Sequence, residues 1–145
     1  MYIKAENETH IELLESLAKE IWTDHFGPMF ENDILEYIIS KIQSKESILE
    51  QIEEGYLYYF IHDKNIPVGY FAFQLSEKEK ELFLGKLYIR SAQRRKGLGN
   101  QVVVYLKNYA KNPIYQKSPL KFTITTKAQS RLIKALASNR QALSG

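Results

Sequence analysis

The sequence predicts a mixed α/β domain in which a central, mostly antiparallel sheet is flanked by helices. Three observations carry that prediction. Apolar residues recur at helical spacing through the first 55 positions, three aromatic and branched runs joined by short polar turns follow up to Ile89, and a glycine-opened helical stretch then leads to one more short strand. At 145 residues the chain, 1–145, has the length of a single domain, and ten Tyr, seven Phe and one Trp supply bulk for its core. The charged fraction of 26% is ordinary for a folded domain and argues against disorder.

Tyr2 and Ile3 make a short apolar start. Thr9 is placed to cap a helix whose inward face reads Ile11, Leu14, Leu17, Ala18 and Ile21. Gly27 and Pro28 break that pattern, and a second helix is expected from about Asn32 to Ile42, with Ile34, Leu35, Ile38 and Ile42 turned to the core. Ser44 or Ser47 then caps a short third helix through Ile48, Leu49 and Ile52, and Gly55 stops it.

The runs YLYYFIH, PVGYFAFQL and ELFLGKLYI read as three strands separated by the turns HDKN and SEKEK. Such short connections favour an antiparallel meander, because a parallel return needs a crossover of roughly a dozen residues or more. In GLGNQVVVYLKNYAK, Leu98, Val102, Val103, Leu106, Tyr109 and Ala110 recur at helical spacing. A strand there would have to bury Asn100 and Gln101, so the segment is expected to be a helix ended by Pro113. LKFTITT reads as a further strand, and QSRLIKALASNRQALSG begins as a short basic helix through Leu132, Ile133 and Leu136.

With no Cys there is no disulfide framework, thiolate metal site or cysteine nucleophile, and no metal is expected. No apolar run approaches the ~20 residues that span a bilayer, so a cytoplasmic protein without a membrane partner is expected. Charge is unevenly placed: residues 1–81 hold seven basic side chains and all seventeen acids, whereas residues 82–145 hold thirteen basic side chains and no acid. That division suits either an anionic ligand or nucleic acid on the second half, or a surface where the two halves intermix.

The segment KLYIRSAQRRKGLGNQVVVYL narrows the choice. A strand ending at Ile89 feeds the turn Arg94-Arg95-Lys96-Gly97-Leu98-Gly99 at the start of a helix. Glycines allow close backbone approach, the first helical turn leaves N–H groups unsatisfied, and the three bases add positive potential at the same end. These features suit a pyrophosphate. Cations at that end oppose the helix dipole, by ~0.3–1 kcal/mol each when exposed, and a bound anion removes the conflict. A Walker loop is excluded because Lys96 precedes Gly97 and no Ser or Thr follows in register, and a dinucleotide fingerprint lacks its downstream acid.

The stretch LGKLYIRSAQRRKGLGNQVVVYLKNYA resembles the acetyl-coenzyme A binding motif of the GCN5-related N-acetyltransferases, whose pattern of Arg or Gln, two variable residues, Gly, one variable residue and Gly or Ala is met by Arg94, Gly97 and Gly99. The two leading helices and the meander follow the family order, so the resemblance covers about residues 1–126. It implies acetyl-coenzyme A as cosubstrate, transfer of its acetyl group to a primary amine, and an acyltransferase fold. It also implies backbone contacts from Leu87, Tyr88 and Ile89 to the pantetheine arm, and from Arg95, Lys96, Gly97, Leu98 and Gly99 to the pyrophosphate.

Chemistry of this kind needs a group to take the amine's proton and one to protonate the leaving thiolate. Glu81, which opens the strand leading to Lys86, is the candidate base; His62 is a weaker one. The family's usual proton-donating tyrosine is replaced here by Leu136, so that role is absent, unnecessary for the thiolate, or supplied by another residue such as Tyr88 or Tyr105, of which Tyr88 is the candidate catalytic residue. Trp22, His25 and Phe26 lie near a helix end resembling the family's acceptor wall, which Tyr37 and Phe30 extend; core packing explains the same stripe.

After about Thr126 the resemblance fades, and the two terminal strands it implies are expected to be missing or altered, with a homodimer as one way to cover the exposed edge. The acceptor is expected to be a small-molecule or peptide amine. Two alternatives remain at this stage: a noncatalytic acyl-coenzyme A sensor or interaction module, and a nucleic-acid-binding protein, for which no recognition helix or RNA-binding signature is found.

Overall fold

The computed structural model describes residues 1–93 and 95–124. Arg94 and the proposed helix containing Leu136 lie outside the described residues. The chain begins with β1 (Tyr2–Lys4), followed by α1 (Glu8–Phe26), α2 (Asn32–Ile42) and α3 (Lys45–Glu53). The meander is β2 (Leu57–Asp63), β3 (Ile66–Ser76) and β4 (Glu81–Ile89), after which come α4 (Leu98–Lys111) and β5 (Lys121–Ile124).

Capping chemistry sets the helix boundaries. Asn7, not Thr9, caps α1: its side-chain oxygen accepts the His10 N–H at 2.8 Å, so the helix begins two residues earlier than the apolar pattern implies. Ser44 caps α3 by accepting the Ser47 N–H at 3.2 Å. The HDKN turn closes the β2–β3 hairpin with Lys64 and Asn65 at φ of 52° and 66°, the left-handed pair that a tight hairpin turn requires.

The five strands lie in sequence order, antiparallel except for the β4–β5 pair, which is parallel. The parallel pair follows from α4, which supplies the crossover. One sheet face carries Tyr58, Phe60, Tyr70 and Ala72 against Leu14, Leu17, Ala18 and Ile21 of α1 and Ile48 of α3. The other carries Ile61, Phe71, Phe73, Leu82 and Leu84 against Val102, Leu106 and Ala110 of α4.

β4 does not alternate evenly. Ala72 pairs with Lys86 and Phe73 with Leu84, which leaves Gly85 as the extra residue of a β-bulge. The bulge shifts the phase: Leu82 and Leu84 face α4, Leu87 and Ile89 regain that face, and Lys86 and Tyr88 turn toward α1 and α2. α2 lies at that end, with Ile34, Leu35, Ile38, Ile39 and Ile42 packed around Trp22 and Tyr88.

Candidate functional site

The end of β4 and the start of α4 come together. A Cβ placed on Gly99, in the first turn of α4, would lie 3.5 Å from Cδ1 of Ile89 and 3.8 Å from Cδ2 of Leu87. Two of the strand residues predicted to meet the pantetheine arm therefore support the helix turn predicted to meet the pyrophosphate. β3 is drawn close on the other side, since a Cβ on Gly69 would fall 2.4 Å from the Tyr88 carbonyl oxygen.

Gly97 is the N-cap of α4 and has φ 78°, in the left-handed region where a side chain is strained. Among the described residues no side chain caps this helix, and a Cβ on Gly97 would meet nothing within 4 Å. The Gln101 N–H makes the first helical bond, to the Gly97 carbonyl at 3.0 Å. The N–H groups of Leu98, Gly99 and Asn100 precede it and have no acceptor among the described residues.

No acidic residue stands in the first turn of α4. Arg95 is exposed, with φ 71°, and the exposed Lys96 donates to Oε1 of Gln93 at 2.8 Å while standing 4.0 Å from Asp63. Three unsatisfied donors, the positive end of a helix and two mobile-stemmed cations thus converge on open space, an arrangement that binds anionic oxygen.

The predicted catalytic pair is not brought together. Glu81 and Tyr88 stand at opposite ends of β4, about 23 Å apart at ~3.3 Å per strand residue, so they cannot act on one reacting atom. The Glu81 carboxylate accepts the Thr123 hydroxyl at 3.0 Å, beside the turn that joins β3 to β4. Tyr88 is half-buried next to Leu87 and Ile89, with ring centroids 5.1 Å from Trp22 and 5.5 Å from Tyr70. Burial pushes its phenol well above the ordinary tyrosine range, so it keeps its proton at neutral pH. Tyr105 lies elsewhere, its ring against Tyr2 and Tyr109. His62 is at the β1 side, where its carbonyl accepts the N-terminal ammonium at 3.3 Å, and burial lowers its pKa.

The acceptor wall needs one correction. Trp22 is fully buried and its indole N–H donates to the Tyr70 hydroxyl at 2.9 Å, so it is a core residue that no substrate can touch. Phe26 covers it at 5.0 Å between centroids; His25, exposed, meets Phe26 edge-on at 4.5 Å, and Phe30 follows at 6.4 Å. Tyr37 is half-buried on α2 with the Lys41 ammonium 5.6 Å above its ring. Among the described residues no cluster of three His, Asp or Glu is placed to hold a metal, and no helix is long and apolar enough to cross a membrane.

Sequence reasoning missed Lys86, Tyr58 and Gln43, which form a buried polar network beneath β4. A glycine inside ELFLGKLYI was the available signal, because glycine within a strand marks a bulge that changes which side chains point inward.

Residues 12–134 match the family model of the acetyltransferase (GNAT) family. The chain belongs to the GNAT acetyltransferase family. Solved structures share the GNAT fold at low identity. PaiA N-acetyltransferase from Thermoplasma acidophilum, determined in complex with coenzyme A, matches with TM-score 0.61 and 17% identity over 74% of this chain and 70% of that one. A GNAT family acetyltransferase from Staphylococcus aureus subsp. aureus USA300_TCH1516 gives 0.55 and 18% over 87% and 85%, and Tetrahymena GCN5 gives 0.51 and 15% over 75% and 62%. No curated protein matches the chain.

Proposed function

We propose that this GNAT-family chain transfers the acetyl group of acetyl-coenzyme A to a primary amine on a small molecule or peptide. The observation that carries the reading is the uncapped start of α4, where three N–H groups and the exposed Arg95 and Lys96 border open space directly beside Leu87 and Ile89. The pyrophosphate would take the amides of Leu98 and Gly99, and the pantetheine arm the backbone of Leu87, Tyr88 and Ile89. The coenzyme A held by the Thermoplasma relative supports the same ligand here.

In this reading the neutral amine attacks the thioester carbonyl carbon, a C–N bond forms, the nitrogen sheds one proton to water, and the tetrahedral intermediate collapses with cleavage of the C–S bond and loss of the coenzyme thiolate. Holding the two reactants together supplies much of the rate. Tyr88, protonated and adjacent to the coenzyme-facing strand segment, donates the proton that the thiolate takes up. Glu81 is too far along β4 to share that step, and its carboxylate is engaged by Thr123. Phe26, His25, Phe30 and Tyr37 line the side from which the amine approaches, with Trp22 as their support.

The test is thiol release from acetyl-coenzyme A in the presence of a panel of primary amines, with the acetylated product identified by mass. Amine-dependent thiol release supports the reading. Tight coenzyme binding with no amine-dependent release across the panel supports the sensor alternative instead.

A further inference from the structure

We propose that Lys86 is a positioning residue for the acyl transfer: as an uncharged amine it fixes the β4 bulge against the C-terminal end of α2 through Tyr58, Gln43 and the Ile42 carbonyl. The proposal rests on the acetyltransferase reading above.

Lys86 is 5% exposed, in a sheet position where an apolar side chain is the rule. Its Nζ donates to the Tyr58 hydroxyl at 2.6 Å and lies 3.4 Å from both Oε1 of Gln43 and the Ile42 carbonyl oxygen. Tyr58 donates onward to Oε1 of Gln51 at 2.5 Å, and Nε2 of Gln51 donates back to the Ile42 carbonyl at 3.2 Å. A closed ring of polar contacts therefore ties β2, β4, α2 and α3 together at the point where the bulge redirects β4.

The groups facing Lys86 are all uncharged. They are Tyr58 from β2, Gln43 at the end of α2 and Gln51 from α3, with Tyr70 of β3 stacked on Tyr58 at 6.4 Å and Tyr88 two residues further along β4. Burial pushes Tyr58, Tyr70 and Tyr88 above their usual range, so none supplies a negative charge near neutrality. From α1, Glu15 reaches this corner but accepts the Lys45 N–H. Among the described residues no carboxylate pairs with Lys86, and burial brings its pKa down to about 7.

Gln43 gives the second, independent observation. It is fully buried, and its Nε2 has no partner among the described residues. An ammonium at Lys86 requires the amide oxygen of Gln43 to face it and leaves that N–H group orphaned. A neutral amine offers a lone pair, and a half-turn of the amide brings Nε2 to where Oε1 lies, 3.4 Å from Nζ, while Oε1 takes the place of Nε2, so an unpaired donor is exchanged for an unpaired acceptor. Loss of one proton thus removes an uncompensated buried charge and exchanges an orphaned N–H group for an unpaired carbonyl oxygen, which protein interiors hold more often. Leu87, Tyr88 and Ile89 follow Lys86 directly on the strand, so the same proton bears on the segment read as coenzyme-facing.

The experiment follows the backbone amides of Leu87, Tyr88 and Ile89 by NMR without coenzyme, as pH is raised from about 6 to about 9. The wild type is expected to show one midpoint near 7, as burial of Lys86 dictates. Gln43→Glu supplies a carboxylate that holds the proton, which moves the midpoint up by about one unit or more, and Lys86→Met abolishes the transition. Acetyl transfer by the same proteins is expected to fall about tenfold in Lys86→Met and to keep the wild-type coenzyme affinity within about threefold. Amide shifts unchanged by Gln43→Glu, or a Lys86→Met enzyme with wild-type turnover and pH profile, overturn the proposal. Amides that track Lys86 in a protein that acetylates no amine would instead refute the acetyltransferase reading and leave the clamp as a structural device.

Discussion

At Gly97 a side chain has room but the backbone does not favour it: φ is 78°, and a Cβ would meet open space. Conformation and ligand access, not protein crowding, select glycine there. Tyr88 is the residue whose chemistry is most exposed to test. If its phenol protonates the leaving thiolate, Tyr88→Phe should lower kcat by about tenfold to a hundredfold while leaving the affinity for coenzyme A within about twofold, measured by steady-state kinetics and calorimetry. A fall in affinity with kcat unchanged would assign Tyr88 to packing. The glycine turn at the start of α4 was legible because the types and order of its residues state a physical requirement: glycine for backbone approach, bases for charge. Trp22 was misread for an equally physical reason. An aromatic near a helix end has the same spacing whether it lines a wall or fills a core, and only its hydrogen bond to Tyr70, 48 positions away, separates the two.

At the scale of elements, α4 begins with an unmet need. Leu98, Gly99 and Asn100 have amides without acceptors among the described residues, and the charges nearby oppose the helix dipole. A saturating anion should therefore order this turn more than any other. Coenzyme A at about a hundred times its Kd should stabilise the protein by about 2.7 kcal/mol, with the largest slowing of hydrogen exchange at those three amides. Protection spread evenly over the sheet would place the ligand elsewhere. Helix and strand identities were readable from periodicity, and β4 ran from Glu81 to Ile89 as ELFLGKLYI implied. The bulge at Gly85 was not read, and it decides that Lys86 and Tyr88 turn to one face while Leu87 and Ile89 turn to the other.

Over the whole molecule the two sheet faces have separate cores, and α4 is fixed to its face by Val102, Leu106 and Ala110, all fully buried. Leu106→Ala should cost about 2–5 kcal/mol in denaturant unfolding, since a leucine cavity against a rigid sheet collapses poorly. A cost below about 1 kcal/mol would mean that α4 is held by something other than this contact. The folded protein releases the Lys86 proton at about 7, whereas the unfolded chain keeps it to the usual 10.5, so between those values the unfolded state binds more protons. Stability from this group therefore rises with pH across that window, and Lys86→Met should flatten the rise. The order of helices and strands was legible across the described residues. What sequence could not supply was distance along a strand, which sets Glu81 about 23 Å from Tyr88 and keeps the two from meeting one reacting atom.

Calorimetric titration of coenzyme A into the wild type and into Gly97→Trp bears most directly on the central claim. An indole at position 97 projects into the space where the linked phosphates would lie and meets no atom of the described residues, at the cost of strain in the left-handed backbone there. Saturable wild-type binding that weakens by about a hundredfold or more in a Gly97→Trp protein with unchanged circular dichroism is the predicted result. Equal affinity in the two proteins would contradict it.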